Sequence, residues 1–439
     1  MELKDFIVTP IVLLIIYFLA YKIRPKVCTV HTKKYFLPAL TLKFIGAIAL
    51  GLIYQFYYGG GDTFGYTTYG SHFIWEAFKD NPFNATRLIF LDNIFRSDLY
   101  EYTQFMWYYD DPPAYFIVRL AGILSIITFD TYSSVAILFA IIGFSGLWAF
   151  YNALVKIYPE LHFKLALAFF AVPSVIFWGS GVMKDTITVS AVAWVSYALF
   201  EIFIFKNRTI FTLTILMLSI WIIYIIKIFI LFCLIPAAML WIYILYVGRI
   251  KSAVLRYTIQ PVLIVIPVAV SIFGLSTLTE GNQRYSFDNI LSTAEITAYD
   301  NSLWTVRQEG SGYNLGDYDF TPIGLVRKFI PAVWVTLFRP YLWEANSVVM
   351  LLSAIESFLL LAFVLAILLN SGLVTFTKKG LLNPHVIMSL FFSITFAFAV
   401  GISSGNFGSL VRYKIPIIPF FLIALILIQF HSKRDKKLS

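Results

Sequence analysis

Charge is what this chain has least of. Only 13% of its 439 residues are Asp, Glu, Lys or Arg, about half the ~25% of an ordinary soluble domain. That excludes a water-solvated globular surface over most of the molecule. Cysteine is nearly absent too: Cys28 lies in a basic stretch and Cys233 inside an apolar run. Neither a disulfide framework nor a cysteine-based metal site can be built from them. The five histidines are scattered, with no HExxH or other paired spacing, so no metal motif is visible. A net charge of +9 would point to nucleic acid in a soluble protein. Here the positives collect in short segments between apolar runs, the mark of membrane topology, and nucleic acid is not an expected partner.

What fills the sequence is apolar. Hydrophobic residues make up 59% of it, and the mean hydropathy is +0.80. Runs such as LLIIYFLAY, LTILMLSIWIIYII, FLLLAFVLAILL and FFLIALILI belong to segments near the ~20 residues that cross a ~30 Å hydrocarbon core as helix. Barrel strands would instead alternate every second residue over about ten. The expected fold class is all-α: a polytopic helical membrane protein, one membrane domain over 1–439. The first run is followed by Tyr21, Lys22 and Arg24 and by no small-residue cleavage site, so it reads as a retained span. The composition suits a bacterial cytoplasmic (inner) membrane.

Lysine and arginine orient the spans. Spans at 7–22 and 35–57 flank Lys22, Arg24, Lys26, Lys33 and Lys34, a basic and therefore cytoplasmic loop. The N-terminus is then outside, and 58–132 forms a first external loop rich in acidic and aromatic residues. Within it, YFIVRLAGILSIITF (115–129) is short and interrupted by Arg119. Counting it as a span would put GRIKSAVLR (248–256) outside, so it is read as a re-entrant or interfacial helix. The remaining spans fall at 134–155, 164–179, 186–205, 209–226, 228–247, 258–276, 347–370, 384–401 and 414–430, making eleven, with the C-terminus inside. Only Lys227 marks the break within 209–247. A second external loop covers 277–346.

This topology lines up polar groups at the outer ends of spans. Asp62 follows GGG directly beyond the second span. Lys184 and Asp185 lie in PSVIFWGSGVMKDT, Lys227 marks an outer turn, Arg339 lies in FRPYLWEAN, and Arg412 with Tyr413 in NFGSLVRYKIPIIP. Ionisable groups at membrane depth are expensive and commonly line a cavity or a ligand path. Cations so placed suit an anionic lipid headgroup, and a carboxylate among them suits general-base work. The plainer alternative makes each cation a snorkelling anchor and Asp62 a helix N-cap accepting from the Gly65 N–H. Lys43, inside the second span, is expected to snorkel to the cytoplasmic face. Glu356 is expected to face the bundle and pair with a cation. Asp110 and Asp111 offer a metal-ligand pair or, with Pro112 and Pro113, a turn. Tyr57, Tyr58, Tyr66, Tyr69, Trp75, Trp107, Tyr108 and Tyr109 form an aromatic belt whose ring faces also suit sugars.

GGDTFGY after an early span resembles the acidic motif of GT-C glycosyltransferases, and RYKIPIIPFFLIAL (412–425) resembles the RYxxPxxP segment of their protein-mannosyltransferase-like and aminoarabinose-transferase-like branches. The resemblance covers about a tenth of the chain. It implies transfer of a sugar from a polyprenyl-phosphate-linked donor to a glycan, lipid or protein acceptor on the extracytoplasmic face. Asp62 would be the base, and Arg412 would lie near the donor phosphate. A divalent metal is compatible with it but not required. The chain departs from that pattern in having an extra preceding span, no assured second acidic motif and no large soluble C-terminal domain. PSVIFWGSGVMKD and FRPYLWEAN resemble segments of bacterial envelope proteins of polysaccharide synthesis. That opens a rival reading, an O-antigen- or exopolysaccharide-type polymerase acting on polyprenyl-pyrophosphate-linked glycans. A lipid-linked glycan transporter would need repeat symmetry, and none is visible.

Overall fold

The computed structural model describes residues 3–247, 292, 295–300, 312–316, 321–371 and 383–438. The expected span at 258–276, the basic segment 248–256, Lys378 and Lys379, and most of the loop 277–346 lie outside the described residues. Among those described, the structure is helical, without strands, and carries one isolated bridge, Gly312 with Asn406. Eight helices are long and apolar enough to cross a bilayer, or nine if one bent pair is a single span. The described chain divides into two compact units, Met1–Lys227 and Ile228–Ser439.

The first unit is built on α1 (Asp5–Val27), α2 (Phe36–Phe56) and α8 (Tyr132–Ile157). Asp5 accepts from the Ser133 N–H at 2.8 Å, and Thr9 and Ser134 share a hydrogen bond. At the other end the Val27 carbonyl accepts from Trp148 and Asn152. Helices α1 and α8 are therefore parallel and start at one level. The chain between them makes one net crossing, and α2 supplies it. The segment read as re-entrant or interfacial is α7 (Pro112–Ile127, 16 residues), a shorter apolar helix outside the eight candidate spans. Its ~24 Å at 1.5 Å per residue also falls short of a ~30 Å core.

Helix α11 (Lys184–Phe203) also runs parallel to α8. Gly143 faces Thr186 and Gly146 faces Ser190, and a Cβ on Gly146 would collide with the Ser190 carbonyl oxygen. Ser190 Oγ donates to the Ile142 carbonyl at 2.6 Å. Small residues that let backbones approach, with a hydroxyl bonded across, are what pack helices in lipid, where the hydrophobic effect does little between them. This register starts α11 about nine residues, roughly 13 Å, deeper than α8. The return between them is the expected span at 164–179. It is broken into α9 (His162–Phe170) and α10 (Pro173–Phe177). Pro173 has no N–H to donate and turns Val172 extended, which ends α9. Helix α12 (Ile210–Lys227) runs back along α11, its Phe211 against Trp194.

Between α2 and α7 the chain forms α3 (Asp62–Tyr66), a π-helical turn (Thr67–Ser71) kinked at Tyr69, α4 (His72–Asp80), α5 (Pro82–Phe90) and the single turn α6 (Tyr100–Thr103). These short helices gather over α7. Ser71 bonds Ser125, and the Tyr115 hydroxyl donates to the Leu88 carbonyl.

The second unit contains α13 (Phe229–Val247), α14 (Pro322–Arg327), α15 (Phe329–Phe338), α16 (Val348–Ser371), α17 (Pro384–Ser404), α18 (Phe407–Tyr413) and α19 (Ile418–Leu438). Helix α17 is its centre. Trp241 of α13 donates to His385 at 3.1 Å, Thr336 of α15 donates to the Ala397 carbonyl at 2.7 Å, and Phe392 packs edge-on against Phe420 of α19. A Cβ on Gly401 would strike the Ala332 carbonyl. Helices α18 and α19 meet at a bend of 63°, with Pro416 in the break.

Candidate functional site

GGGD leaves α2 by a route open only to glycine. Gly59, Gly60 and Gly61 have φ of 68°, 146° and 124°, and a Cβ on Gly61 would press the Tyr54 ring at 2.6 Å. Gly61 is the N-cap, and its carbonyl takes the Phe64 and Gly65 N–H groups at 3.0 Å each. Asp62 is the first helical residue, so the N-cap reading for it is corrected. Its Oδ1 accepts instead from the Tyr108 hydroxyl at 3.0 Å. Tyr108 is held by Tyr66, ring centroids 5.0 Å apart, and the neighbouring Trp107 stacks on Tyr69 at 4.0 Å.

Three residues beyond Tyr108, Asp111 precedes α7 and pairs with Lys184 at 3.2 Å. The adjacent Asp185 carboxylate, 0% exposed, holds the buried ammonium of Lys227. One stretch, Tyr108 to Asp111, thus connects Asp62 to Lys184, Asp185 and Lys227, from parts of the sequence far apart. The Asp111–Lys184 pair is the accessible link, with side chains 41% and 19% exposed. The Asp185–Lys227 pair is sealed. Asp110 is exposed and immediately precedes Asp111 in the turn. Among the described residues no three His, Cys, Asp or Glu side chains converge as metal donors.

Arg339, Arg412 and Tyr413 belong to the second unit. Arg339 pairs with Glu344 through two nitrogens and lies over the Phe407 ring at 5.1 Å, against the helix that carries Arg412. Burial works to raise the pKa of Glu344, but hydrogen bonds from Arg339 and the Tyr341 N–H, with the Arg339 charge, hold it below its usual value. Arg412 and Tyr413 are half-buried. Lys414, buried, donates to Ser357 and to the Arg339 carbonyl. Glu356 is buried, 7% exposed, so it faces the interior of its unit as expected.

Lys43 does not snorkel. It is 1% exposed, and its ammonium donates to the carbonyls of Val175 (2.9 Å) and Gly179 (2.8 Å). These lie where α10 ends inside the unit. A helix C-terminus leaves carbonyls unpaired, and a buried cation is a suitable cap. Gly46, one turn along α2, brings α10 so close that a Cβ would strike the Ile176 carbonyl.

A second polar group escapes notice in the sequence. His72 Nδ1 and Asp130 Oδ2 are 2.7 Å apart, Lys4 reaches the same oxygen at 3.4 Å, and Glu76 lies 3.7 Å from His72 Nε2. The hydrogen bond to Asp130 is the main influence raising the His72 pKa. Burial and Lys4 oppose it, and the charges of Asp130 and Glu76 assist. Only the positions of α1, α4 and α8 bring these residues together, and no local spacing announces them.

No known protein family, no curated protein and no solved structure matches this chain.

Proposed function

We propose that this protein is a GT-C-like membrane glycosyltransferase that moves a sugar from a polyprenyl-phosphate-linked donor to an acceptor hydroxyl on the extracytoplasmic face. The observation that carries the reading is the connection of Asp62, through Tyr108 and Asp111, to Lys184. A half-buried carboxylate with one oxygen oriented by a phenol is joined, through that stretch of chain, to a partly accessible ammonium. Asp62 takes the acceptor proton as the acceptor oxygen bonds to the anomeric carbon. The bond from that carbon to the phosphate oxygen breaks, and the phosphate leaves with the electron pair, with inversion. Lys184 offsets the charge gathering on the phosphate, the kind of electrostatic stabilisation that usually contributes most. To do so it exchanges the exposed Asp111 carboxylate for phosphate oxygens. Lys227 holds Asp185 and acts on the phosphate only through it. Arg412 and Tyr413 are assigned to the donor on motif grounds, and Arg339 on its expected place at the outer end of a span.

The polymerase reading depends on basic side chains. It draws on the same cations, and is less favoured because it gives no role to Asp62, whose carboxylate is oriented by the Tyr108 hydroxyl. The experiment is a transfer assay in membranes from cells expressing wild-type protein or Asp62→Asn, with native mass spectrometry of the purified proteins for retained polyprenyl phosphate. Loss of a general base costs about 10²–10⁴-fold in rate, with the lipid retained. Full transfer by Asp62→Asn rejects the proposal, and full transfer by Asp62→Asn with loss in Arg412→Ala moves the assignment to the polymerase class.

A further inference from the structure

The segment that carries Asp62 has two faces. Asp62, Tyr66 and Tyr69 turn toward Tyr108 and Trp107. Phe64, Thr67, Thr68 and His72, on the other face, line a cavity of about 170 Å³ closed by Lys4, Asp5, Ser125, Asp130 and Tyr132. From this cavity we infer a second binding site, distinct from the Asp62 face, that accepts one neutral polyhydroxylated ring of the size of a single sugar unit. The choice of sugars as the ligand class rests on the glycan reading above; the existence of the site does not.

Four observations carry it. The wall is chemically balanced, with Lys4 and His72 offsetting Asp5 and Asp130, so it favours neither a phosphate nor a cation. Three lining residues keep a polar atom without a protein hydrogen bond among the described residues: Asp130 Oδ1, His72 Nε2 and the Thr68 hydroxyl. Asp130 accepts both Lys4 and His72 on Oδ2 alone. An acceptor, a nitrogen and a hydroxyl are the groups that bind vicinal hydroxyls. Beside them Phe64 and Tyr132 form an aromatic wall, ring centroids 5.2 Å apart, and apolar wall with few polar groups is the usual make-up of small-molecule sites.

The backbone around the cavity is also unusual in two places. Phe129 and Asp130 are consecutive non-glycine residues at positive φ, 53° and 55°. Such strain persists where the surroundings over-determine it and gathers at ligand sites. Thr67 and Thr68 sit in the π-helical turn, a feature frequent at functional sites.

The test is saturation-transfer difference NMR on the full-length protein in a sugar-free detergent, with glucose, mannose, galactose and N-acetylglucosamine as probes. Wild type is expected to give transfer to at least one of the four. Thr68→Trp, at an exposed lining position, fills the mouth and abolishes it, while Asp130→Asn weakens binding at least tenfold. Asp62→Asn leaves it unchanged. The inference is overturned if no probe shows transfer with folded wild type, or if Thr68→Trp binds as wild type does. It is overturned equally if Asp62→Asn abolishes binding, which would place the sugar on the other face. Because these readouts do not use turnover, an Asp62→Asn variant that still transfers sugar rejects the proposed function and leaves this site standing.

Discussion

Lys43, near the middle of the first unit's second helix, caps the end of a five-residue helix that begins 130 positions later at Pro173, through the carbonyls of Val175 and Gly179. The contact explains how a broken crossing is tolerated. Backbone carbonyls inside the membrane region need partners, and one ammonium supplies two of them. Lys43→Met keeps the length of the side chain and removes the donor. Each buried carbonyl left without a partner costs about 1–3 kcal/mol. The variant is therefore expected to melt several degrees below wild type in detergent and to become sensitive to proteolysis near 171–183. An unchanged melting temperature would show that α10 does not depend on this cap.

The three glycines before Asp62 are not equivalent. Gly59 has φ 68° with open space around it, whereas Gly61 combines φ 124° with the Tyr54 ring. Gly59→Ala is expected to cost about 1 kcal/mol, the price of placing an L-residue in the left-handed region. Gly61→Ala must move both backbone and Tyr54, and a strain of about 1–3 kcal/mol comes on top of the contact. Under the proposed function Gly61→Ala also displaces Asp62 and loses sugar transfer, while Gly59→Ala retains most of it. Equal transfer rates in the two variants would show that the placement of Asp62 does not matter to the reaction.

The sequence carried the membrane architecture well and the polar contacts poorly, for one physical reason. Apolar length and basic loops are local quantities, so α1, α2, α8, α11, α12, α13, α16 and α17 all fall close to their expected spans. The apolar helix at 115–129 is legible because its run is continuous, and its shortness, which keeps it outside the eight candidate spans, is equally a local quantity. The segment 164–179 reads as one span because hydropathy does not register that Pro173 and Lys43 together make a break and its cap. Tyr108 as the partner of Asp62, and Asp130 as the partner of His72, depend on how helices meet, and residue spacing holds no trace of that. Lys227 illustrates both sides: its place at a helix end is readable, but its engagement with Asp185 is not.

The Asp185–Lys227 pair distinguishes a structural charge from a ligand-binding one. Removing one partner of a buried pair leaves an uncompensated charge and costs about 3–5 kcal/mol, whereas replacing both with apolar groups is often neutral. Lys227→Met is expected to destabilise the protein strongly, and the Lys227→Met, Asp185→Leu double variant to recover most of the loss. Thermal unfolding of the four proteins in a double-mutant cycle measures the coupling. If Lys227→Met instead folds as wild type does and only loses retained polyprenyl phosphate, Lys227 contacts the lipid directly.

His72 gives the first unit a pH dependence whose sign is fixed by its neighbours. Asp130 and Glu76 favour the charged ring, Lys4 and burial oppose it, and the balance raises the pKa above the usual 6.5. A group with a raised folded-state pKa contributes its stabilisation fully below the unfolded value and loses it as pH rises through the folded value. Stability should therefore fall as the pH rises above the ordinary histidine value of 6.5 and through the raised value of His72. His72→Gln keeps a polar group but cannot take up the proton, so its melting temperature should fall less over the same interval. Because the ring is partly exposed, raising the salt concentration should shrink the difference between the two profiles. Parallel profiles for wild type and His72→Gln at low salt would mean that another group titrates, and that the Asp130 hydrogen bond does not hold the proton on His72.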